Sequence, residues 1–155
     1  SGIIFVNKES KTSRSATKEA IHKALSEGKS IMIYPEGKTN AAPLTATFQK
    51  GSFDIAAELG IPVIPFAIEY MDIADYWDHS ETMAEHYFNH LAKHRTYVRM
   101  SVGEVIHGDN AFALLRQSQQ WINDEIVKLR EDWGGLAPEK QETGDRNQEA
   151  AGSAT

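Results

Sequence analysis

Apolar residues follow two different spacings along this chain. Short runs typical of strands are separated by stretches in which apolar positions recur every three or four residues, as on one face of a helix. The strand-like runs are Ile3–Val6, Ile31–Tyr34, Val63–Tyr70 and Tyr97–Ile106. Helical spacing marks Ser15–Glu27, Gly51–Leu59, Asp72–Lys93 and Asn110–Trp133. Alternating strands and helices predict an α/β fold with a mostly parallel sheet covered by helices.

Residues that stop or start helices mark the ends of these segments. Gly28 and Gly60 follow two helical stretches, as expected of glycines that end helices, and Asn110 is a typical N-cap residue. From Gly134 to Thr155 the sequence is polar, poor in apolar residues and without periodicity. We therefore predict one domain over residues 1–133, followed by a disordered C-terminal tail over residues 134–155.

Charge and composition narrow the functional classes. Sixteen basic and 22 acidic side chains give a formal net charge of −6, which disfavours nucleic acid as a partner. The absence of cysteine excludes disulfides, thiolate metal sites and a cysteine nucleophile. No histidine and carboxylate spacing indicates a metal site, and we expect neither metal nor cofactor. The longest apolar run, Ile61–Ile68, has eight residues, far fewer than the roughly 20 that span a membrane.

The segment Tyr34–Asn40, Tyr-Pro-Glu-Gly-Lys-Thr-Asn, carries the most informative chemistry. It directly follows a predicted strand, and ligands of open α/β sheets bind at the carboxyl ends of strands. Its Gly37-Lys38-Thr39 run resembles the end of a nucleotide-binding loop. That loop requires another glycine five positions earlier, where this chain has Met32. A nucleotide-binding loop is therefore disfavoured.

Four blocks in order resemble the glycerolipid acyltransferase family, the 1-acylglycerol-3-phosphate acyltransferases and their relatives. The first has Phe-Val-Asn-Lys followed by Ser-Arg, and the second is Tyr-Pro-Glu-Gly-Lys-Thr-Asn. The others are Phe-Gln-Lys-Gly-Ser-Phe and Ile-Pro-Val-Ile-Pro. They lie within Gly2–Arg14, Tyr34–Asn40, Phe48–Phe53 and Ile61–Pro65. The region from Tyr97 to Leu129, including Gly103, resembles the closing strand and long helix of the same family.

The resemblance implies a glycerol-3-phosphate acyltransferase-like fold and transfer of a fatty acyl chain in phospholipid biosynthesis. The implied donor is acyl-CoA or acyl carrier protein, and the implied acceptor is 1-acylglycerol-3-phosphate, a related lysophospholipid or glycerol phosphate. Cationic side chains and N–H groups can donate hydrogen bonds to the acceptor's phosphate. The implied acceptor-binding residues are Lys8, Arg14, Glu36, Gly37, Lys38 and Thr39.

These residues match the family pattern to different degrees. Glu36 and Gly37 match directly, and Arg14 falls on a basic position of its block. Lys8 stands where the family has arginine, which keeps the charge but loses the bidentate geometry. Lys38 and Thr39 stand where the family usually has threonine and arginine, and this departure concerns the identity of the acceptor more than its class.

The family's catalytic block, His-x-x-x-x-Asp, has no counterpart among the six histidines. The nearest spacing is His22 with Glu27, on the helix between the first and second predicted strands. We therefore assign no catalytic residue, expect an N-terminal truncation upstream of Ser1, and expect the fragment itself to be inactive. The alternative is a non-catalytic lipid- or phosphate-binding relative that has no such dyad.

The implied substrates are amphiphiles, so we expect peripheral or anchored association with the cytoplasmic face of a membrane. Four aromatic residues in the Asp72–Lys93 segment form the candidate contact surface: Tyr76, Trp77, Tyr87 and Phe88. Aromatic rings suit the headgroup level, and nearby basic residues would attract anionic lipids. The alternative, which aromatic stripes at helical spacing favour, is that these rings pack in the core.

Overall fold

A computed structural model describes residues 11–40, 42–77, 82–92, 95–131 and 133, without the side chains of 11–14 and 91. The helices are α1 (Lys11–Ser26), α2 (Gly51–Leu59), α3 (Met83–His86) and α4 (Ala111–Arg130). The strands are β1 (Phe66–Tyr70) and β2 (Val98–Val102). The predicted strand Ile3–Val6 and the predicted tail at 134–155 lie outside the described residues.

Three of the predicted helices are confirmed. α1 begins four residues before the predicted start, and α2 has the predicted bounds. Gly60 ends α2 with a φ of 65°, in the left-handed region that glycine adopts without steric cost. Asn110 caps α4, because its side-chain oxygen accepts hydrogen bonds from the N–H groups of Phe112 and Ala113.

The predicted helix over Asp72–Lys93 is wrong as a single element. Its described part contains a short 3₁₀ turn at Ile73–Asp75, helix α3 and a π-helical turn at Tyr87–Leu91. Local caps interrupt the segment. The Asp72 side chain accepts a hydrogen bond from the Ala74 N–H, and Thr82 forms a capping box with Glu85. These side chains begin separate helical turns within a segment whose apolar spacing is continuous.

The described sheet is antiparallel. Phe66 lies opposite Val102 and Tyr70 lies opposite Val98, so the predicted mostly parallel sheet is not confirmed. β1 and β2 are consecutive strands, and an antiparallel pair forms when the connecting chain returns beside the sheet without crossing over it. The coarser prediction of helices packed on a sheet is confirmed.

The predicted strand Ile31–Tyr34 has no ladder partner among the described residues. It lies near β1, since the Tyr34 and Phe66 rings meet edge to face at 6.0 Å between centroids. Apolar periodicity identifies a segment that can form a strand, but pairing depends on a neighbouring edge far away in sequence.

The core lies where α2 meets α4. Its buried residues are Phe48, Phe53, Ala56, Leu114 and Leu115. α1 packs on the other side of α2, and α4 covers one face of the sheet. The opposite face is open, because Val98, Met100 and Val102 of β2 alternate as exposed residues. α4 is therefore the element that joins the helical core to the strands.

Candidate functional site

The Tyr34–Gly37 segment forms a tight turn. The Gly37 N–H donates to the Tyr34 carbonyl at 3.0 Å, and Pro35 supplies a φ that suits the second position of such a turn. Gly37 has a φ of 66°, where a side chain would strain the backbone. The Gln49 N–H donates to the Pro35 carbonyl at 2.8 Å, which fixes the turn to the segment that precedes α2.

Glu36 holds the loop that follows this turn. Its Oε2 accepts hydrogen bonds from the Ala46 N–H at 2.7 Å and from Asn40 Nδ2 at 2.9 Å. Asn40 Nδ2 also donates to the Leu44 carbonyl, and Asn40 Oδ1 accepts from the Ala42 N–H. Because the half-buried carboxylate is engaged by the chain's own donors, its structural role is to position the turn.

Side chains of helix α4 hold the same loop in place through hydrogen bonds. Asn123 Oδ1 accepts from both the N–H and the hydroxyl of Thr45, at 3.0 and 2.8 Å. Gln119 Nε2 donates to the Ala46 carbonyl at 3.0 Å, and Arg130 donates to the Pro43 carbonyl. No local sequence pattern predicts these α4 residues, because polar residues on a helix so far along the chain give no local signal of their contact with the loop.

Lys38 and Thr39 directly follow the turn and are exposed. No ion pair joins Lys38 to another described residue, so its ammonium group is available to a ligand. A cation and a hydroxyl side by side suit a phosphate oxygen. The structure thus brings four predicted site residues together in sequence order, from Glu36 to Thr39. Lys8 lies outside the described residues, and Arg14 lies in the first turn of α1 with its side chain undescribed.

A buried ionic cluster lies between β1 and the end of α4. Glu69 Oε1 lies 3.1 Å from Arg130 Nε and accepts the Tyr76 hydroxyl at 2.5 Å. Burial, followed by this hydrogen bond to Glu69, raises the pKa of Tyr76 to about 12. The bond to Glu69 also raises the pKa of Arg130. Because Arg130 binds Pro43 as well, the cluster connects the sheet to the Glu36 loop.

A largely apolar cavity of about 770 Å³ adjoins the turn. The segment Ile33–Pro35 forms one wall, β1 forms another, and Ile122 and Ile126 of α4 close the inner side. Its lining also includes the buried Asp75 and His86, and His86 Nε2 lies 3.2 Å from the Asp75 carbonyl oxygen. A carbonyl only accepts, so Nε2 carries the proton in this contact.

His22 and Glu27, the nearest approach to a catalytic pair in the sequence, do not form one. His22 Nε2 lies 3.9 Å from Glu58 Oε1, whereas Glu27 pairs with Lys29 at 2.5 Å. Lys29 lowers the pKa of the exposed Glu27. Across the residues that the structure describes, no three histidine, aspartate or glutamate side chains converge as metal ligands. Nor is any helix in that part long and apolar enough to cross a bilayer.

Comparison with known proteins agrees with the motif blocks. A model of the acyltransferase family matches residues 1–69. Over 67 residues, the chain is 39% identical to a 1-acyl-sn-glycerol-3-phosphate acyltransferase of Borreliella burgdorferi, covering 43% of this chain and 27% of that protein. A 1-acyl-sn-glycerol-3-phosphate acyltransferase of Chlamydomonas reinhardtii is 28% identical over 67 residues, with coverage of 43% and 20%. No solved structure gives a significant match.

Residues 1–69, which include the Glu36 turn, are thus similar to the acyltransferase family. The resemblance predicted from the motif blocks is confirmed. The chain spans only about a fifth to a quarter of the length of these relatives, between 20% and 27%.

Proposed function

We propose that this chain is part of an O-acyltransferase that moves a fatty acyl group from acyl-CoA or acyl carrier protein to 1-acylglycerol-3-phosphate or a related lysophospholipid. The reaction would join the acyl carbonyl carbon to an acceptor hydroxyl and release the carrier thiol. The names of the matched relatives support the acceptor class. Acceptor binding is the step that we assign to the residues described above.

The observation that carries the proposal is the construction of the Glu36 turn. Two internal donors hold the Glu36 carboxylate, and the turn presents Lys38 and Thr39 to solvent. A turn that is fixed before the ligand arrives loses little conformational entropy on binding. We assign the acceptor's phosphate to Lys38 and Thr39, with Glu36 and Gly37 as positioning residues and Lys8 and Arg14 as further cations.

Titration with glycerol 3-phosphate tests the assignment. Lys38→Ala should weaken binding by roughly ten- to a hundredfold, because a hydrogen bond to a charged group contributes about 1.5–3 kcal/mol. Lys128→Ala is the matched control, since Lys128 is an exposed lysine that pairs with Glu125 on α4. Equal affinity of the wild type and Lys38→Ala would reject the turn as the phosphate site.

The second candidate function is that of a non-catalytic lipid- or phosphate-binding relative. It is favoured by the arrangement of His22 and Glu27, which face Glu58 and Lys29 instead of each other. We expect the chain alone to show no transfer from acyl-CoA, because loss of a general base costs about 10²–10⁴-fold in rate. The upstream coding sequence separates the two functions: a His-x-x-x-x-Asp block there supports the enzyme, and its absence supports the binding relative.

We further propose peripheral association with the cytoplasmic face of a membrane. Tyr87 and Phe88 support it, because both rings are exposed and meet edge to face at 5.5 Å between centroids. Tyr76 and Trp77 are half-buried. The predicted four-residue aromatic surface is therefore reduced to Tyr87 and Phe88 as exposed rings.

A further inference from the structure

The outer edge of β2 has backbone groups without partners in the described part of the chain. The Gly103 N–H donates to the Pro65 carbonyl at 2.9 Å, which shows that the backbone groups of Gly103 face β1. Residues of an antiparallel strand alternate in the direction of these groups. The N–H and C=O groups of Val98, Met100 and Val102 therefore point away from β1. No described backbone group bonds to them there.

The side chains of β2 leave this edge unprotected. Sheet edges in soluble proteins are commonly guarded by charged residues or prolines, and β2 has no proline. Its one charged residue, Arg99, is engaged on the α4 side, where it donates to the Leu129 and Glu131 carbonyls at 3.2 and 3.1 Å. The Arg99 guanidinium also lies 4.4 Å from the centre of the Trp133 ring. The outward residues of the edge are therefore exposed and apolar.

A change of register limits the length of this edge. Pro65 pairs with Gly103, whereas Val63 pairs with Ile106. The segment after β2 therefore contains one more residue than the segment opposite it, as in a β-bulge. Because a bulge bends the strand, an added strand can follow only the five residues of β2. The centre of such a pairing is Met100.

The sequence of β2 favours a second copy of this chain as the added strand. Its outward positions, Val-x-Met-x-Val, read the same in both directions. Antiparallel pairing about a twofold axis at Met100 places Val98 opposite Val102 of the partner subunit and Met100 opposite its own copy. Arg99 then lies beside Ser101 of the partner subunit, so no like charges meet. An axis at Arg99 would oppose two guanidinium groups, and an axis at Ser101 would place Val98 against the bulge.

We propose that two copies of this chain pair along β2 and form one continuous antiparallel sheet. Each of Val98, Met100 and Val102 then donates and accepts one backbone hydrogen bond across the axis. The axis is perpendicular to the sheet, so the open faces of both copies point the same way. The contact uses the same surface on both copies and closes at two. This inference goes beyond the proposed function and does not depend on it, because association is measurable without any substrate.

Sedimentation of the purified chain tests the association. A pairing of five residues covers less than the roughly 1,200 Å² of a standard interface, so we expect a dissociation constant of roughly 10–100 μM. Met100→Lys should weaken the dimer at least about tenfold, because two ammonium groups would meet at the axis. Met83→Lys is the matched control, since Met83 is 64% exposed and Met100 is 63% exposed, and it should associate like the wild type. A wild type that stays monomeric at about 1 mM, or that associates no more tightly than Met100→Lys, would overturn the proposal.

Amide exchange shows whether the dimer uses this edge. At about 1 mM chain, the Val98, Met100 and Val102 amides should exchange roughly five- to fifteenfold more slowly than at about 1 μM, as the expected dissociation constant requires. The Arg99 and Ser101 amides face β1, so their exchange should not depend on concentration. A dimer in which the three outward amides exchange equally fast at both concentrations would have another interface, and the edge pairing would be rejected.

A disulfide test keeps the proposal decidable if Met100→Lys unfolds the sheet. The chain has no cysteine, so Met100→Cys provides a single thiol. In the proposed dimer the Cα atoms of the two copies of this residue lie about 5.5 Å apart, within disulfide range. Mild oxidation should therefore link Met100→Cys into a covalent dimer and leave the control, Met83→Cys, largely monomeric. Equal linking of the two variants, or no linking of Met100→Cys while its thiol reacts freely with a maleimide, would overturn the pairing.

Discussion

Glu36 shows how one residue in a binding motif can act through the backbone. Its carboxylate accepts from Asn40 and from the Ala46 N–H, so Glu36→Ala removes the acceptor of the Ala46 N–H and leaves Asn40 Nδ2 with only the Leu44 carbonyl. We expect this variant to lose about 1–2 kcal/mol of unfolding free energy and to bind glycerol 3-phosphate more weakly. Glu36→Gln keeps an acceptor oxygen and should retain most of both. Urea unfolding and calorimetric titration measure the difference. Equal behaviour of the two variants would contradict the positioning role.

The raised pKa of Tyr76 predicts that the folded state loses stability at alkaline pH. An unfolded tyrosine ionises near pH 10, whereas the folded Tyr76 has a pKa of about 12. The folded state keeps the proton longer, so the contribution of Tyr76 to stability is complete below pH 10 and is lost as the pH rises toward 12. Between about pH 9 and pH 11, Tyr76→Phe should therefore lose less unfolding free energy than the wild type.

Tyr87→Phe is the control for this pH dependence, because Tyr87 is an exposed tyrosine. Its unfolding free energy should fall with pH as steeply as that of the wild type. Parallel pH profiles for the wild type and Tyr76→Phe would show that the half-buried hydrogen bond to Glu69 has no part in the alkaline loss of stability.

At the scale of elements, Gly103 permits the close approach of α4 to the sheet. A Cβ atom there would lie 2.8 Å from a Trp121 ring carbon and 2.9 Å from Pro65 Cγ. We expect Gly103→Ala to lose about 1–3 kcal/mol of unfolding free energy through overpacking. Gly108→Ala is the control, because its Cβ would meet Leu114 at 3.4 Å, an ordinary contact. Thermal unfolding compares the two, and equal melting temperatures would reject the packing argument.

Local signals predicted the helices better than the sheet. Gly60 and Asn110 act through neighbouring residues, so their effects on α2 and α4 could be inferred from the sequence. Pairing of the predicted strand Ile31–Tyr34 would depend on an edge far away in sequence, since β1 begins more than thirty positions later. The caps at Asp72 and Thr82 are local as well, but the continuous apolar spacing around them concealed the breaks.

At the scale of the whole molecule, contacts between residues far apart in sequence also support the candidate site, and these could not be predicted from local patterns. The motif block predicted the residues from Glu36 to Thr39, which are contiguous. It did not predict their supports, because Thr45 and Asn123 are 78 positions apart. Arg130 binds both the loop and Glu69, so the site depends on contacts between α4, the loop and the sheet. The motif thus identified the turn, and the tertiary structure was needed to show which side chains hold it.

The exposed apolar surface near α3 gives the last prediction. Its residues are Ile73, Met83, Tyr87 and Phe88. Exposed apolar and aromatic side chains suit the membrane interface, and the Tyr87 and Phe88 rings are in contact. We expect the chain to float with liposomes that contain anionic lipid at low salt. The double variant Tyr87→Ala, Phe88→Ala should remain in the soluble fraction while keeping its fold by circular dichroism.

Phe112→Ala controls for exposed apolar area in general, since Phe112 is an exposed aromatic residue at the start of α4. This variant should float like the wild type, because it leaves the surface near α3 intact. Salt separates the two attractive forces: added salt screens charge attraction beyond the Debye length, about 8 Å at physiological ionic strength, whereas ring insertion persists. Flotation that survives loss of both Tyr87 and Phe88 would place the membrane contact elsewhere, and absence of flotation in the wild type would refute this surface as a membrane contact.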